Sequence, residues 1–249
     1  MTLMSQIGSN GAGSHVSTPD LLVVQALRVK GFARADAVAD ATGLDVGNID
    51  ALLSGLADAG HARHREGRMS GWMLTPEGRV HGEVLLAAEL ETTGTRPVIE
   101  GAYRDFLEAN QGFLELCTDW QLRPDPDAPD GDLIVNDHTD PVHDAAVVAR
   151  LGDADRVVRG VCNDLGGVLA RFDGYGDRFA EALARVRAGE VEWFTRPLID
   201  SYHTVWFELH EHLLATLGIE PVRRCPDQPA SEPTRQRRLG LDRQRRRMG

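Results

Sequence analysis

From Thr18 onward, apolar residues recur with the period of an α-helix. Leu22, Val23, Ala26 and Leu27 share one face, behind a Thr18-Pro19-Asp20 start and ahead of Gly31. The same pattern predicts a second helix over Ala35–Thr42, with Val38, Ala39 and Ala41 inward and a stop at Gly43-Leu44. A third runs from about Val46 to Ala59 with Ile49, Leu52, Leu53 and Leu56 inward, ending at Gly60. The period then changes. His61–Arg65 and Gly71–Leu74 have strand character and are joined across a glycine turn, and Thr75-Pro76-Glu77 starts a fourth helix with Val80, Val84, Leu85 and Ala88 at helical spacing.

Thr92-Thr93-Gly94 marks a boundary, after which only helical periodicity returns. A long helix is expected over Arg96–Leu116, with too many apolar residues for one stripe, so it packs on two sides. Gln121–Pro141 is acidic and proline-rich and reads as a long loop. Helix resumes over Val142–Phe172, broken near Gly152 and again near Gly166-Gly167, and Tyr175–Ala188 follows. The last helix is expected from about Pro197 to Leu217, with one stripe through Tyr202 and Trp206 and a second through His203, Phe207, His210 and Leu214. The fold class is therefore mainly α. The expected segments are a disordered start (residues 1–17), a first domain (18–92), an all-helical domain (93–218) and a disordered tail (219–249).

Charge changes this picture in two places. The whole chain carries a formal charge of −11, the wrong sign for a protein that coats itself in nucleic acid by bulk electrostatics. The tail is the opposite, with nine arginines among Pro221–Gly249 against Asp227, Glu232 and Asp242, and reads as an interaction arm or a tail folding back on the acidic body. Three scattered cysteines, Cys117, Cys162 and Cys225, form no paired motif and are expected to be reduced thiols. No secretory leader or membrane span is evident, so a cytoplasmic location without membrane partners is expected.

The order helix, helix, glycine turn, helix, hairpin, helix is that of a winged helix-turn-helix. Through Ala39-Asp40-Ala41-Thr42-Gly43-Leu44, Leu56-Ala57-Asp58-Ala59-Gly60 and Gly71-Trp72-Met73-Leu74-Thr75-Pro76-Glu77-Gly78-Arg79, the chain resembles MarR-type regulators of transcription. That resemblance implies a third helix in the DNA major groove and a wing on the backbone. It makes Asn48, Ala51, Ser54, Arg63, His64, Arg65 and Arg68 the residues expected to meet double-stranded DNA. Against this, the third helix shows Asp45, Asp50 and Asp58 outward and no basic residue, and Thr18–Leu90 holds seven basic residues against ten acidic ones. Cys117-Thr118-Asp119-Trp120-Gln121 and Trp193-Phe194-Thr195-Arg196-Pro197-Leu198 resemble the carboxy-terminal part of actinobacterial MarR-like regulators. Similar segments are associated with phosphoenolpyruvate-utilising enzymes, which implies an accessory module instead.

Two further clusters carry candidate chemistry. Asp137, His138, Asp140, His143 and Asp144 could hold a divalent metal, or Asp140 caps a helix starting at Pro141 while the histidines are solvated. The second reading is preferred and no metal or other cofactor is expected. Trp120, Tyr202, His203, Trp206 and His210 could line a ligand cavity or be plain core. No nucleophile, phosphate-binding or dinucleotide motif is present, so an enzyme is not expected. The expectation is a DNA-binding regulator, dimeric as paired half-sites require, whose helical domain senses a small molecule. The alternative is a protein-docking module that binds no DNA.

Overall fold

The computed structural model describes residues 13–67, 70–128 and 131–220, and the chain in these segments is mainly helical. In α1 (Pro19–Lys30) the cap residues set the start, because Thr18 Oγ1 accepts from the Leu21 amide and Pro19 occupies the first turn. Next come α2 (Ala35–Thr42) and α3 (Val46–Asp58), the latter capped by Asp45, whose carboxylate accepts from the Gly47 amide at 2.9 Å. The strands β1 (Ala62–Arg65) and β2 (Gly71–Leu74) pair antiparallel, with Arg63 opposite Met73 and Arg65 opposite Gly71. Ala33 adds a single bridge to Trp72, which extends the hairpin toward the α1–α2 connection. These elements share a core around Val24, Leu27, Val38, Ile49, Leu53 and Leu74.

Helix α4 (Pro76–Thr93) begins as its cap predicts, with Thr75 Oγ1 accepting from the Gly78 amide at 3.0 Å. Its buried face differs from the one its valines suggest. Val80 and Val84 are 60% and 62% exposed, whereas Gly78, Gly82, Leu86 and Leu90 are buried. The glycines explain the choice. A Cβ on Gly78 would overlap the His61 carbonyl, and one on Gly82 would stand 2.7 Å from Val24 Cγ1. Backbone contact with the hairpin and α1 therefore fixes the rotation of α4, and the branched residues turn outward.

The rest comprises α5 (Arg96–Gln121), β3 (Leu122–Pro124), β4 (Leu133–Val135), α6 (Pro141–Gly166), a 3-10 turn (Ala170–Phe172), α7 (Tyr175–Arg187), α8 (Glu192–Thr195) and α9 (Tyr202–Leu217). Three details differ from the sequence expectation. The acidic loop holds a short antiparallel hairpin, β3 on β4. Helix α6 runs straight through Gly152, where a Cβ would lie 2.6 Å from Arg187 Nη2, so this glycine serves the packing of α7 rather than a break. Finally, α9 starts at Tyr202, because Ser201 accepts from the Thr204 amide and donates to the Arg196 carbonyl, a cap that overrides Pro197 as a starting residue.

Helix α9 is the seam of the molecule, packing on α1 and α4 as well as on α5, α7 and α8. The segment before α1 joins the same seam: His15 bridges Leu169, Ser14 Oγ donates to the Gly166 carbonyl, and Ser17 is buried. The expectation of disorder up to Ser17 therefore fails for Ser14 and His15, which bond to the 166–170 turn, and for Ser17, which bonds to Glu89, while residues 1–12 and the basic tail from Pro221 lie outside the described residues. Among the described residues, no helix is long and apolar enough to cross a membrane.

Candidate functional site

Arg63, His64 and Arg65 stand exposed on β1, which packs against α3. Arg63 and Arg65 point to the same side of the strand, with no carboxylate at ion-pair distance among the described residues. Three nearby cations are engaged, Arg28 with Glu83 at 3.0 Å, Lys30 with Glu208 at 3.5 Å and Arg34 with Asp36 at 3.1 Å, whereas Arg79 on α4 is exposed like the strand arginines. His64 takes a supporting place, its ring 4.8 Å from that of Trp72 and its Nε2 3.1 Å from Ser70 Oγ. On α3, Asn48, Ala51 and Ser54 are all exposed, between exposed Asp45, Asp50 and Asp58. Six of the seven expected contact residues are thus exposed on α3 and the adjoining strand β1, and the seventh, Arg68, lies outside the described residues.

The aromatic set of the second half gathers around a ring rather than a void. Phe113 lies 4.1 Å from Trp206, 5.7 Å from Tyr202 and 6.2 Å from His203, while Trp120 packs on Phe194 at 4.8 Å. Trp120, Tyr202 and Trp206 are buried, and two of them have polar partners within the fold: Trp206 Nε1 donates to Asn110 Oδ1 and the Tyr202 hydroxyl to Asp155 Oδ1. His210 is half-buried against Phe106 at 5.2 Å, and burial lowers the pKa of both His203 and His210.

The acidic cluster is a structural knot. Asp140 accepts from the Val142 and His143 amides and caps α6. The histidines are half-buried and engaged rather than simply solvated: His138 pairs with Asp144 at 3.0 Å, its ring tilted against Trp120, and His143 Nε2 donates to the Asp119 carbonyl at 2.7 Å. No group of three or more His, Cys, Asp or Glu side chains among the described residues could hold a metal ion. Burial pushes the Cys117 and Cys162 thiols up to about 12, so neither carries thiolate character at neutral pH.

A cavity of about 630 Å³ lies elsewhere, where α1 and α2 meet α7, α9 and the 3-10 turn. Its wall contains a buried network that sequence reading missed. Arg171 Nε donates to Glu89 Oε2 at 3.0 Å, with Nη2 2.9 Å from the same oxygen as an ion contact, and Nη1 donates to His212 Nε2 at 2.7 Å and Thr216 Oγ1 at 2.9 Å. Because arginine only donates, His212 Nε2 is the acceptor, and Nδ1 carries the hydrogen that reaches the Tyr175 hydroxyl at 3.2 Å. Burial, then the neighbouring Arg171 charge, hold His212 well below its ordinary value, and burial raises Tyr175. Ser17 closes the network by donating to Glu89 Oε1 at 2.5 Å. Gln25, on the cavity side of α1, is 3% exposed, and neither Nε2 nor Oε1 has a partner. An unmet buried donor and acceptor cost about 1–3 kcal/mol each. The only advance signal was a glutamine at a helical spacing otherwise occupied by Leu22, Ala26 and Val29.

No protein-family model matches this chain, and no curated protein or solved structure is similar to it by sequence or fold comparison.

Proposed function

We propose that this chain is a DNA-binding transcriptional regulator of the MarR-like winged-helix kind, with α5–α9 serving sensing and dimerisation. The observation that carries this reading is the pair of exposed arginines Arg63 and Arg65, without an ion-pair partner among the described residues, beside the open face of α3. In that role α3 enters the major groove. Asn48 offers the donor–acceptor pair that matches adenine, Ala51 suits a thymine methyl, and Ser54 bonds either kind of edge. The arginines hold phosphates, with Arg68 and the tail adding to them, and His64 braces the strand against Trp72. Leu107, Leu114 and Phe207, at 41%, 56% and 54% exposure, leave an apolar surface on α5 and α9 for a second copy. A ligand that favours one spacing of the two reading helices then shifts the population bound to DNA.

A second reading, a docking protein that binds no DNA, is favoured by Asp45, Asp50 and Asp58 on the exposed side of α3, where a phosphate backbone is repelled. Titration of full-length protein with random duplex DNA across a salt series, followed by selection from a sequence library, separates the two. The regulator binds random DNA at low salt and enriches paired half-sites about 10 bp apart. No binding and no enrichment leave the docking protein.

A further inference from the structure

The cavity between α1, α2, α7 and α9 combines an unmet hydrogen-bonding demand with a definite charge balance. Gln25 lines the cavity, and its carboxamide, closed off from solvent within the wall, has an unused donor and an unused acceptor. Tyr175 lines the same space. Its oxygen accepts from His212, so its own hydrogen has no acceptor among the described residues. The cations lining the cavity have no charge to spare. Lys30 lies 3.5 Å from Glu208, Arg178 donates to both oxygens of Asp200 and reaches Glu208 at 2.7 Å, and Arg171 is held by Glu89. Asp40 and Asp173 add exposed carboxylates to the lining with no cation at ion-pair distance among the described residues.

We infer that this cavity is a binding site for a small nitrogenous molecule, neutral or singly cationic, that carries an N–H donor next to an acceptor, as a lactam, primary amide or aminopyridine edge does. The donor–acceptor edge pairs with the Gln25 carboxamide after rotation of its outer torsions, and a further acceptor takes the Tyr175 hydroxyl hydrogen. Anions are disfavoured, because every lining cation is already neutralised and the unpaired charges are carboxylates. This goes beyond the DNA-reading role and does not depend on it, since binding is measured without DNA.

The test uses full-length protein with side-chain amides labelled with nitrogen-15. Cytosine, adenine, nicotinamide and 2-pyridone serve as probes, and inorganic phosphate and benzoate as anionic controls. At least one probe should bind saturably with a Kd below about 1 mM, shifting the Gln25 amide resonances, while the anions leave them in place. Gln25→Leu keeps the size, removes an unpaired amide and should therefore fold at least as well, yet weaken the probe by about tenfold or more. Ala41→Trp, at an exposed position of the lining, should block the same probe while leaving the melting temperature unchanged. The inference is overturned if no probe binds, if phosphate or benzoate binds in the cavity, or if both variants retain the wild-type affinity.

Discussion

Arg63 and Arg171 carry the same side chain in opposite circumstances. Arg63 stands on an exposed strand with no ion-pair partner among the described residues, and Arg171, its side chain 2% exposed, is tied to Glu89, His212 and Thr216. A guanidinium already surrounded by partners holds structure together, because its desolvation is offset only by keeping all of them. A guanidinium left open in water contributes little to the fold and is available to a partner outside it. The hairpin and the α9 seam therefore divide the work, one as surface and the other as frame. This division predicts that their arginines fail differently when replaced.

The largest effect is expected at the frame. Arg171→Ala leaves the Glu89 carboxylate buried without its counter-charge and His212 Nε2 without its donor, and should destabilise the protein by about 3–5 kcal/mol, read from urea unfolding. The double replacement Glu89→Met with Arg171→Met should recover much of that loss, since no charge is then left unpaired. If the single variant unfolds with wild-type midpoint, the seam is not the frame described.

At the surface the expectation reverses. Replacing Arg63, Arg65 and Arg68 together with serine should leave the unfolding midpoint unchanged. Under the proposed DNA-reading role, it should lower affinity for all sequences alike and reduce the salt slope by about 0.9 per lost phosphate contact. A changed sequence preference with an unchanged slope would mean that these residues touch bases instead.

What the sequence made legible follows the same division between local and distant. Helix starts at Thr18 and Thr75 and stops at Gly31, Gly43 and Gly94 were readable because capping is decided within four residues. The rotation of α4 was not, since Val80 and Val84 look like a core stripe until Gly78 and Gly82 meet His61 and Val24. The exposed residues of α3 could be named because helical period defines an outside, and those of β1 because a run of basic residues in a short hairpin stays in water. The network of Ser17, Glu89, Arg171 and His212 could not, because its members come from four separate elements and each alone resembles a surface residue. The cavity shared this fate: no short spacing links Gln25 to Tyr175.

A smaller effect should separate frame from surface by pH. His212 is buried neutral with a pKa well below the ordinary 6.5, so in acid the unfolded chain takes up a proton that the folded chain refuses. The sign follows directly: this contribution is present above pH 6.5 and is lost as pH falls below it, toward the depressed folded value. Folding free energy measured by urea from pH 7.5 to about pH 5 should decline, and His212→Asn should remove up to one proton's worth of that slope. Equal slopes in the two proteins would show that other groups, such as His203 and His210, carry the dependence.

The smallest expected change tests the acidic face of α3, the feature that sets the two functional readings against each other. Asp50 is exposed between Asn48 and Ala51, and its side chain makes no hydrogen bond or ion pair among the described residues, so Asp50→Arg should not alter folding. If α3 lies in a major groove, the substitution exchanges a repulsion for an attraction next to the backbone. Affinity for random DNA should then rise, and the salt dependence should steepen by about 0.9 in log–log slope, one added phosphate contact. Discrimination between selected and random DNA should narrow, because a general attraction strengthens both alike while Asp50 ceases to penalise wrong registers. If α3 instead docks a protein partner through its carboxylates, the same change should leave DNA binding absent at every salt concentration. A wing that bound DNA alone, with α3 facing away, would leave both slope and discrimination at their wild-type values.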